Sequence, residues 1–410
     1  MNTLFNIIYL SFLFSTALFS SSKPELGVDR FFNEKIYRSI GTKRVGLVTN
    51  QTGRDSDLML TLERFRRHKE IHIKAIFAPE HGLNGACYAA ESVNNEKHKS
   101  GIPIYSLHGA TRRPTDEMLK GIDLLIYDIQ DIGSRSYTYT TTLFYIMEEA
   151  AKRGIEVIVL DRPNPMGGVI VDGPMLEVDF RSFIGYINVP YCHGMTIGEL
   201  ATYFNSEYGI GCKLQVIEMK GWSRSERFSD LDLSWIPTSP NIPEQDTPLY
   251  YASTGFLGEL GIVSIGIGYT LPFKIAGAPW IDAEKFAVAL NRAALPGIKF
   301  VPFYFRPFSG AYHGQDCQGV KLIIADKGDF SPVSVQYLLL TTIKELYPKE
   351  FEQKIATLAK SRKELFNKAS GNAKVYNLLM SEKNGFEQML LVGKETREKF
   401  LLVRERYLRY

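Results

Sequence analysis

Four short runs of almost wholly apolar residues limit this chain to a small set of folds: "VGLVTN" (Val45 to Asn50), "IKAIFA" (Ile73 to Ala78), "DLLIYD" (Asp123 to Asp128) and "VIVLD" (Val157 to Asp161). Runs of this length without polar alternation suit strands buried on both faces, as in a parallel sheet covered by helices. Helical spacing fills the intervals, in "DSDLMLTLERFRR" from Asp55 and in "TLFYIMEEAAKRG" from Thr142, and Gly154 suits a helix C-cap. The pattern predicts an α/β fold built on a doubly wound parallel sheet.

In such a sheet ligands bind beyond the carboxyl ends of the strands. The polar residues at those ends are Asn50, then Glu80 and His81, then Asp128 and Asp131, then Asp161, Arg162 and Asn164. Four strands thus bring charged or amide groups to one edge. No GxGxxG follows the first strand, and "TNQTGRD" is a poor phosphate cradle. The sheet is therefore Rossmann-like without a nucleotide fingerprint, and no cofactor is expected.

Beyond "HGMTIGELATYFNSEYG" (His193 to Gly209), where Thr196 and Glu199 have capping-box spacing, the composition shifts to Pro, Gly and aromatic residues in "PTSPNIP", "GYTLPF" and "GAPW". Helical pattern returns in "IDAEKFAVALNRAAL", from Ser331 to Tyr347 and from Lys394 to Tyr410, while "KFVPFYF" alternates like a strand. The chain is expected to divide into a Rossmann-like domain at 23–210 and a smaller α+β domain at 211–410, with an active site in the cleft between them.

Residues 1–22 hold no charged side chain, and the apolar stretch from Leu4 to Phe19 runs into Ser20 to Ser22. That suits a secretory signal and predicts a periplasmic or secreted protein; left uncleaved, the same segment would be a membrane anchor. Lys and Arg number 48 against 45 Asp and Glu, with no run of either sign, so the electrostatic footprint of a nucleic-acid-binding protein is missing. The four cysteines, Cys87, Cys192, Cys212 and Cys317, form no CxxC pair, which leaves disulfides and free thiols both open.

"FAPEHGLNG" (Phe77 to Gly85) sets Glu80 and His81 between a proline and a glycine at a strand end. Pro79 holds Ala78 extended and Gly82 lets the chain turn. A carboxylate half-withdrawn from water there is expected to have a raised pKa and to act as a general acid. His81 reads as its orienting partner. The only histidines four apart, His68 and His72, precede the strand at its opposite end, so no metal is expected.

"YDIQDIGSRSYTYTTT" (Tyr127 to Thr142) adds Asp128, Asp131, Arg135 and Tyr137. This mixture suits a sugar that carries an anionic group: carboxylates for hydroxyls, an aromatic face for ring carbons, a planar cation for the acid. The same residues would also serve as a helix cap and an Arg135–Asp131 ion pair. "LDRPNPMGG" stiffens a loop bearing Asp161, Arg162 and Asn164. His193 follows Cys192, but as chain neighbours they point apart, and no GxSxG elbow is present, which argues against an acyl-transfer triad.

Taken in order, "GLVTNQTG", "APEHGLNG", "IPIYSLHGATRRPTDEML", "DLLIYDIQDIGSRSYTY", "VIVLDRPNPMGG", "DGPMLE", "HGMTIGELA", "SPNIP", "PFKIAGAPW" and "DCQGVKL" resemble the NamZ-type exo-β-N-acetylmuramidases over roughly residues 40 to 410. The resemblance implies a secreted or periplasmic glycoside hydrolase that removes β-linked N-acetylmuramic acid (MurNAc) from the non-reducing end of peptidoglycan fragments such as MurNAc-GlcNAc and muropeptides. It makes Glu80 the principal catalytic carboxylate, with His81 in support. Asp128, Asp131, Arg135, Tyr137, Asp161, Arg162, Asn164 and His193 carry over as site lining, and Asn50 joins them by its place at the sheet edge. Candidates for a second carboxylate are Glu91, in "YAAESV", and Asp131, with Asp128 behind them. "SIGIGYT" (Ser264 to Thr270) departs from the family's "SEGRGT", placing Ile265 and Ile267 where a Glu and an Arg are usual, a change expected to alter which sugar or attached peptide is accepted. Arg135 is expected to read the lactyl carboxylate of MurNAc, with Arg162 second. A muropeptide-binding protein without catalysis would share most of these features.

Overall fold

The computed structural model describes residues 23–325, 328, 330–381 and 385–410; the expected signal segment, 1–22, lies outside them. The chain lays down β1 (Arg44–Thr49), β2 (His72–Ala78), β3 (Glu96–Lys97), β4 (Pro103–Ser106), β5 (Leu124–Asp128) and β6 (Glu156–Leu160). A small antiparallel pair, β7 (Asp172–Met175) and β8 (Pro190–Cys192), precedes β9 (Lys213–Ile217). The four apolar runs are β1, β2, β5 and β6. One sheet has the order β3-β4-β2-β1-β5-β6-β9 and is parallel except at its edge strand β3. Its last strand comes from beyond residue 210, where the composition shifts, because Lys213–Ile217 pairs with β6 along its whole length.

Alternate residues along each strand serve opposite faces of the sheet. Val45, Leu47, Leu124, Ile126, Ile158 and Leu160 enter one core, closed by helices Gly27–Asn33 and Thr61–Arg67 through Phe31 and Phe65. Val48, Leu125, Tyr127, Val157 and Val159 enter the other, under helices Thr138–Lys152 and Ile197–Glu207, where Phe144 meets Phe204 at 4.6 Å between ring centroids. That second core continues without a break into the C-terminal half, so one apolar body joins the two halves.

The C-terminal half adds helix Thr247–Leu260 and an antiparallel sheet of β10 (Ile275–Ala278), β11 (Ile298–Phe305) and β12 (Cys317–Ile324), in the order β10-β12-β11. Helices Ala283–Arg292 and Pro332–Leu346 pack beside it, and further helices lead to Lys394–Arg404. The chain then returns to the first sheet, where the Tyr410 hydroxyl donates to Asp161 Oδ2 at 2.6 Å and the Arg409 N–H donates to Glu199 Oε1 at 2.8 Å.

Two local readings change in the structure. The helix expected from Asp55 begins only at Thr61, because Asp55 Oδ1 accepts the N–H groups of Asp57 and Met59 and holds the preceding residues in a turn. Helix Thr247–Leu260 stands in the stretch that read as irregular. The capping box at Thr196 and Glu199 is present. All four cysteines are free thiols. Among the described residues no helix is long and apolar enough to cross a membrane.

Candidate active site between the two domains

A cavity of about 360 Å³ opens between the halves of the molecule. The sheet domain contributes Glu80 and His81, which follow β2, and Ser136, Tyr137 and Thr138 at the start of helix Thr138–Lys152. The second domain contributes Tyr251, Phe256 and Glu259 from helix Thr247–Leu260, then Val263, Ile265 and Ile267, and finally Arg362. Its volume and mixed lining are those of a site for a small polar ligand with apolar faces.

Glu80 is buried to 9% exposure at the mouth of the parallel sheet. Its Oε2 accepts the Thr138 hydroxyl at 2.6 Å, its Oε1 accepts the Ala90 N–H at 3.1 Å, and His108 Nε2 stands 3.4 Å from Oε1. Burial alone would push this carboxyl up, as the sequence led us to expect. The Thr138 hydrogen bond, followed by the influence of His108 and the Ala90 N–H, outweighs it and holds the carboxyl below its ordinary value. Burial and the nearby Arg112 pull His108 below its own ordinary value against the pull of Glu80. His108 is therefore neutral at neutral pH, and the Thr138 hydroxyl is the largest of the influences that favour the ionised form of Glu80.

His81 is held in an unusual backbone conformation, with φ at +70°, followed by Gly82 at +78°. A non-glycine residue in this region costs on the order of 1 kcal/mol, and such strain gathers where a side chain must be aimed. The ring is fixed by Nδ1, which donates to the Cys87 carbonyl at 2.7 Å, so Nε2 carries the free lone pair in the neutral ring. Tyr139 meets the imidazole edge to face at 6.5 Å. Tyr137 completes this wall, its hydroxyl donating to Thr238 Oγ1 at 2.9 Å.

The other residues expected at the site lie at the sheet edge but bond to one another or to the backbone, and none of them lines the cavity. Asp128 is fully buried in a fork with Arg162, at 2.6 Å to Nε and 2.9 Å to Nη2, and also accepts the Thr61 hydroxyl. This cluster fills the crevice between β1 and β5, where the strand order reverses and a doubly wound sheet usually binds its ligand. Asn50 Oδ1 accepts the N–H and hydroxyl of Thr52. Asp161 accepts from Arg162 N, Gly198 N, the Thr196 hydroxyl and the Tyr410 hydroxyl, and burial still pushes it up to about 6.

Asn164 bridges Met166 N and Met195 O, and lies so close to Gly133 that a Cβ there would fall 2.2 Å from Asn164 Oδ1. Gly133, at φ +83°, is thus required both by the turn and by the contact. His193 is buried, accepts the Met195 N–H through Nδ1, and is depressed to about 3 by burial and then by Arg404 and Arg135, so it is neutral.

The expected Arg135–Asp131 ion pair does not form. Arg135 donates through Nη1 to the carbonyls of Pro174 (2.7 Å) and Val189 (2.8 Å) and through Nη2 to that of Ala369 (3.0 Å). With 2% exposure and these donors engaged, it has no reach to a bound sugar. The role expected of it, reading the lactyl carboxylate, finds no support in this placement. Arg162 is equally engaged. Asp131 accepts the Gly133 N–H through Oδ2 while Oδ1 is buried without a partner, and burial raises it to about 7. Glu91 is exposed and its carboxylate accepts the Tyr88 N–H. Glu259 is the second carboxylate that lines the cavity.

Three participants escaped sequence reasoning. His108 follows β4, a strand of four residues with a single buried apolar side chain, Ile104, and reaches Glu80 because β4 runs parallel beside β2. Glu259 and Arg362 come from helices Thr247–Leu260 and Lys360–Ser370, which stand where the sequence showed no helical pattern. Only the quoted "IPIYSLHG" carried a signal for His108, and it was one of family resemblance.

Comparison with known proteins agrees with this geometry. The family described as exo-beta-N-acetylmuramidase NamZ matches through its N-terminal part at residues 45–246 and its C-terminal part at residues 249–410. The peptidoglycan beta-N-acetylmuramidase NamZ of Bacillus subtilis (strain 168) is 38% identical over 387 residues, which cover 93% of this chain and 91% of that protein. A DUF1343 family protein from Bacteroides fragilis NCTC 9343 has a crystal structure that superposes with a TM-score of 0.88 at 37% identity, covering 95% of this chain and 99% of that one. A second such protein from the same organism gives a TM-score of 0.71 at 26% identity over the same shares. With both parts matched in order around a buried Glu80, the chain belongs to the NamZ family of exo-β-N-acetylmuramidases.

Proposed function

We propose that this protein is a glycoside hydrolase that releases β-linked MurNAc from the non-reducing ends of peptidoglycan fragments, with MurNAc-GlcNAc as its simplest substrate. Membership of the family and the likeness to the Bacillus subtilis enzyme support the reaction class. The observation that carries the reading at the level of residues is Glu80, an ionised carboxylate held by Thr138 and Ala90 on the wall of a cavity of sugar size. An oxocarbenium-like transition state places positive charge at the anomeric carbon, and a pre-ionised carboxylate in a partly water-excluded site stabilises it or takes a proton from the attacking water.

Hydrolases of this kind usually need a second group, and an N-acetyl sugar can supply its own amide oxygen in place of a protein carboxylate. His81, strained and fixed by Cys87, orients the same wall. The uncharged apolar segment before residue 23 supports export, which would bring the enzyme to its polymer.

Glu80→Gln keeps the size of the side chain and removes its charge. Turnover of an aryl N-acetylmuramide should fall by roughly a hundredfold or more. Full turnover by the variant would overturn the assignment. Because Glu80 acts as the carboxylate and its pKa is lowered, the acid limb of kcat/KM in the wild type should lie below the ordinary glutamate range. A muropeptide-binding protein without catalysis would bind MurNAc-GlcNAc and release no sugar on long incubation.

A further inference from the structure

The cavity wall opposite Glu80 has an organisation that the catalytic reading does not use. Helix Thr247–Leu260 presents Gly255 and Gly258 along it and is capped by Gly261, so this end of the helix carries few side chains toward the cavity. Ile265 packs into the space over Gly258, where a Cβ would come within 2.3 Å of Ile265 Cδ1. Ile265 and the more exposed Ile267 make this part of the wall apolar.

At the edge of the apolar patch stands Arg362, in the first turn of helix Lys360–Ser370, with its guanidinium carbon beside Gly261. It is the one lysine or arginine among the described residues that line the cavity. Unlike Arg135 and Arg162, its guanidinium is not consumed by the fold. Glu259 Oε2 stands 3.9 Å from Nη1, near enough to aim the cation and too far for a hydrogen bond, and the Arg362 side chain is 52% exposed. Burial raises the Glu259 carboxyl while Arg362 opposes it.

MurNAc differs from GlcNAc by a lactyl ether, a small group with one methyl and one carboxylate. A carboxylate withdrawn from water requires a cation with free donors, and a methyl requires an apolar surface next to it. We propose that Arg362, aimed by Glu259, reads the lactyl carboxylate while Ile265 and Ile267 receive the lactyl methyl. This rests on the muramidase reading above and adds the residue that selects the acidic sugar. The cation comes from a different element than Ile265 and Ile267, which lie between helix Thr247–Leu260 and β10.

The test compares two ligands and two proteins. Binding of free N-acetylmuramic acid and of its neutral lactyl methylamide is measured by calorimetry on the full chain and on Arg362→Gln, and hydrolysis is followed with the matching aryl glycosides. The wild type should favour the acid by roughly ten- to a hundredfold, and Arg362→Gln should bring the two ligands to near parity. Turnover of the acidic substrate should fall roughly ten- to a hundredfold further in the variant than turnover of the neutral one. If Arg362→Gln retains the preference for the acid, the inference fails while the muramidase reading stands. If the wild type cleaves neither glycoside, the muramidase reading fails with it. The substituted residue is half exposed on a helix surface, so melting should match the wild type. Arg362→Lys offers a second check, since it keeps the charge without the planar fork and should retain only part of the preference.

Discussion

Arg135 illustrates how a residue type can be right for a ligand and still belong to the scaffold. Its three carbonyl partners lie 39, 54 and 234 residues away in the chain, so no local pattern could have announced them. Arg135→Ala should cost on the order of 3 kcal/mol in denaturant unfolding, because buried carbonyls lose a charged donor. MurNAc and GlcNAc substrates should suffer equally in any variant that still folds, whereas a selective loss for MurNAc would return the lactyl reader to Arg135. Asp131 makes a second case. Its pKa of about 7 lies above the unfolded carboxyl value, so between those two values the native state holds more protons than the unfolded chain. Stability contributed by the protonated group is full below the unfolded value and declines as pH rises through 7. Asp131→Asn should therefore stabilise the protein at pH 8 by on the order of 2 kcal/mol and have little effect at pH 3, as read from urea midpoints at each pH.

At the scale of elements, the sequence was legible wherever one interaction dominated. Strands β1, β2, β5 and β6 are apolar on both faces because helices cover both, and that doubles the signal. Thr196 and Glu199 form their box because the motif is complete within four residues. Thr196 also donates to Asp161 at 2.7 Å, so Thr196→Ala should lower stability by about 1 to 2 kcal/mol while Thr196→Ser should restore most of it. Helix Thr247–Leu260 was not legible. It is buried on nearly every side, which erases amphipathic periodicity, and Gly255 and Gly258 argue locally against a helix. A Cβ at Gly258 would meet Ile265 Cδ1 at 2.3 Å and one at Gly255 the Tyr191 hydroxyl at 2.9 Å, so close packing places these glycines and helix propensity does not announce them. The Glu80 motif was readable as a site, but the direction of its pKa shift was not. Thr138 lies 58 residues from Glu80, and its hydroxyl reverses the effect of burial.

At the scale of the whole molecule, the two halves share one core, and the segment ending at Tyr410 is bonded to the end of β6 and to helix Ile197–Glu207. Tyr410→Phe removes one of four donors to Asp161 and should lower the melting temperature, at a cost of about 1 kcal/mol. Its kcat/KM should not change, since Asp161 does not line the cavity. A fall in kcat/KM without a fall in stability would instead assign Asp161 to the substrate. Arg135 has a kinetic consequence at this same scale. Its guanidinium ties the Pro174 and Val189 carbonyls of the first domain to that of Ala369, which is itself part of the cavity wall. Walls riveted together in this way cannot swing as a hinge, so sugar enters and leaves through a mouth that is already open. Solution scattering should then give the same radius of gyration with and without ligand, and turnover should be insensitive to solvent viscosity, because no domain motion gates either passage.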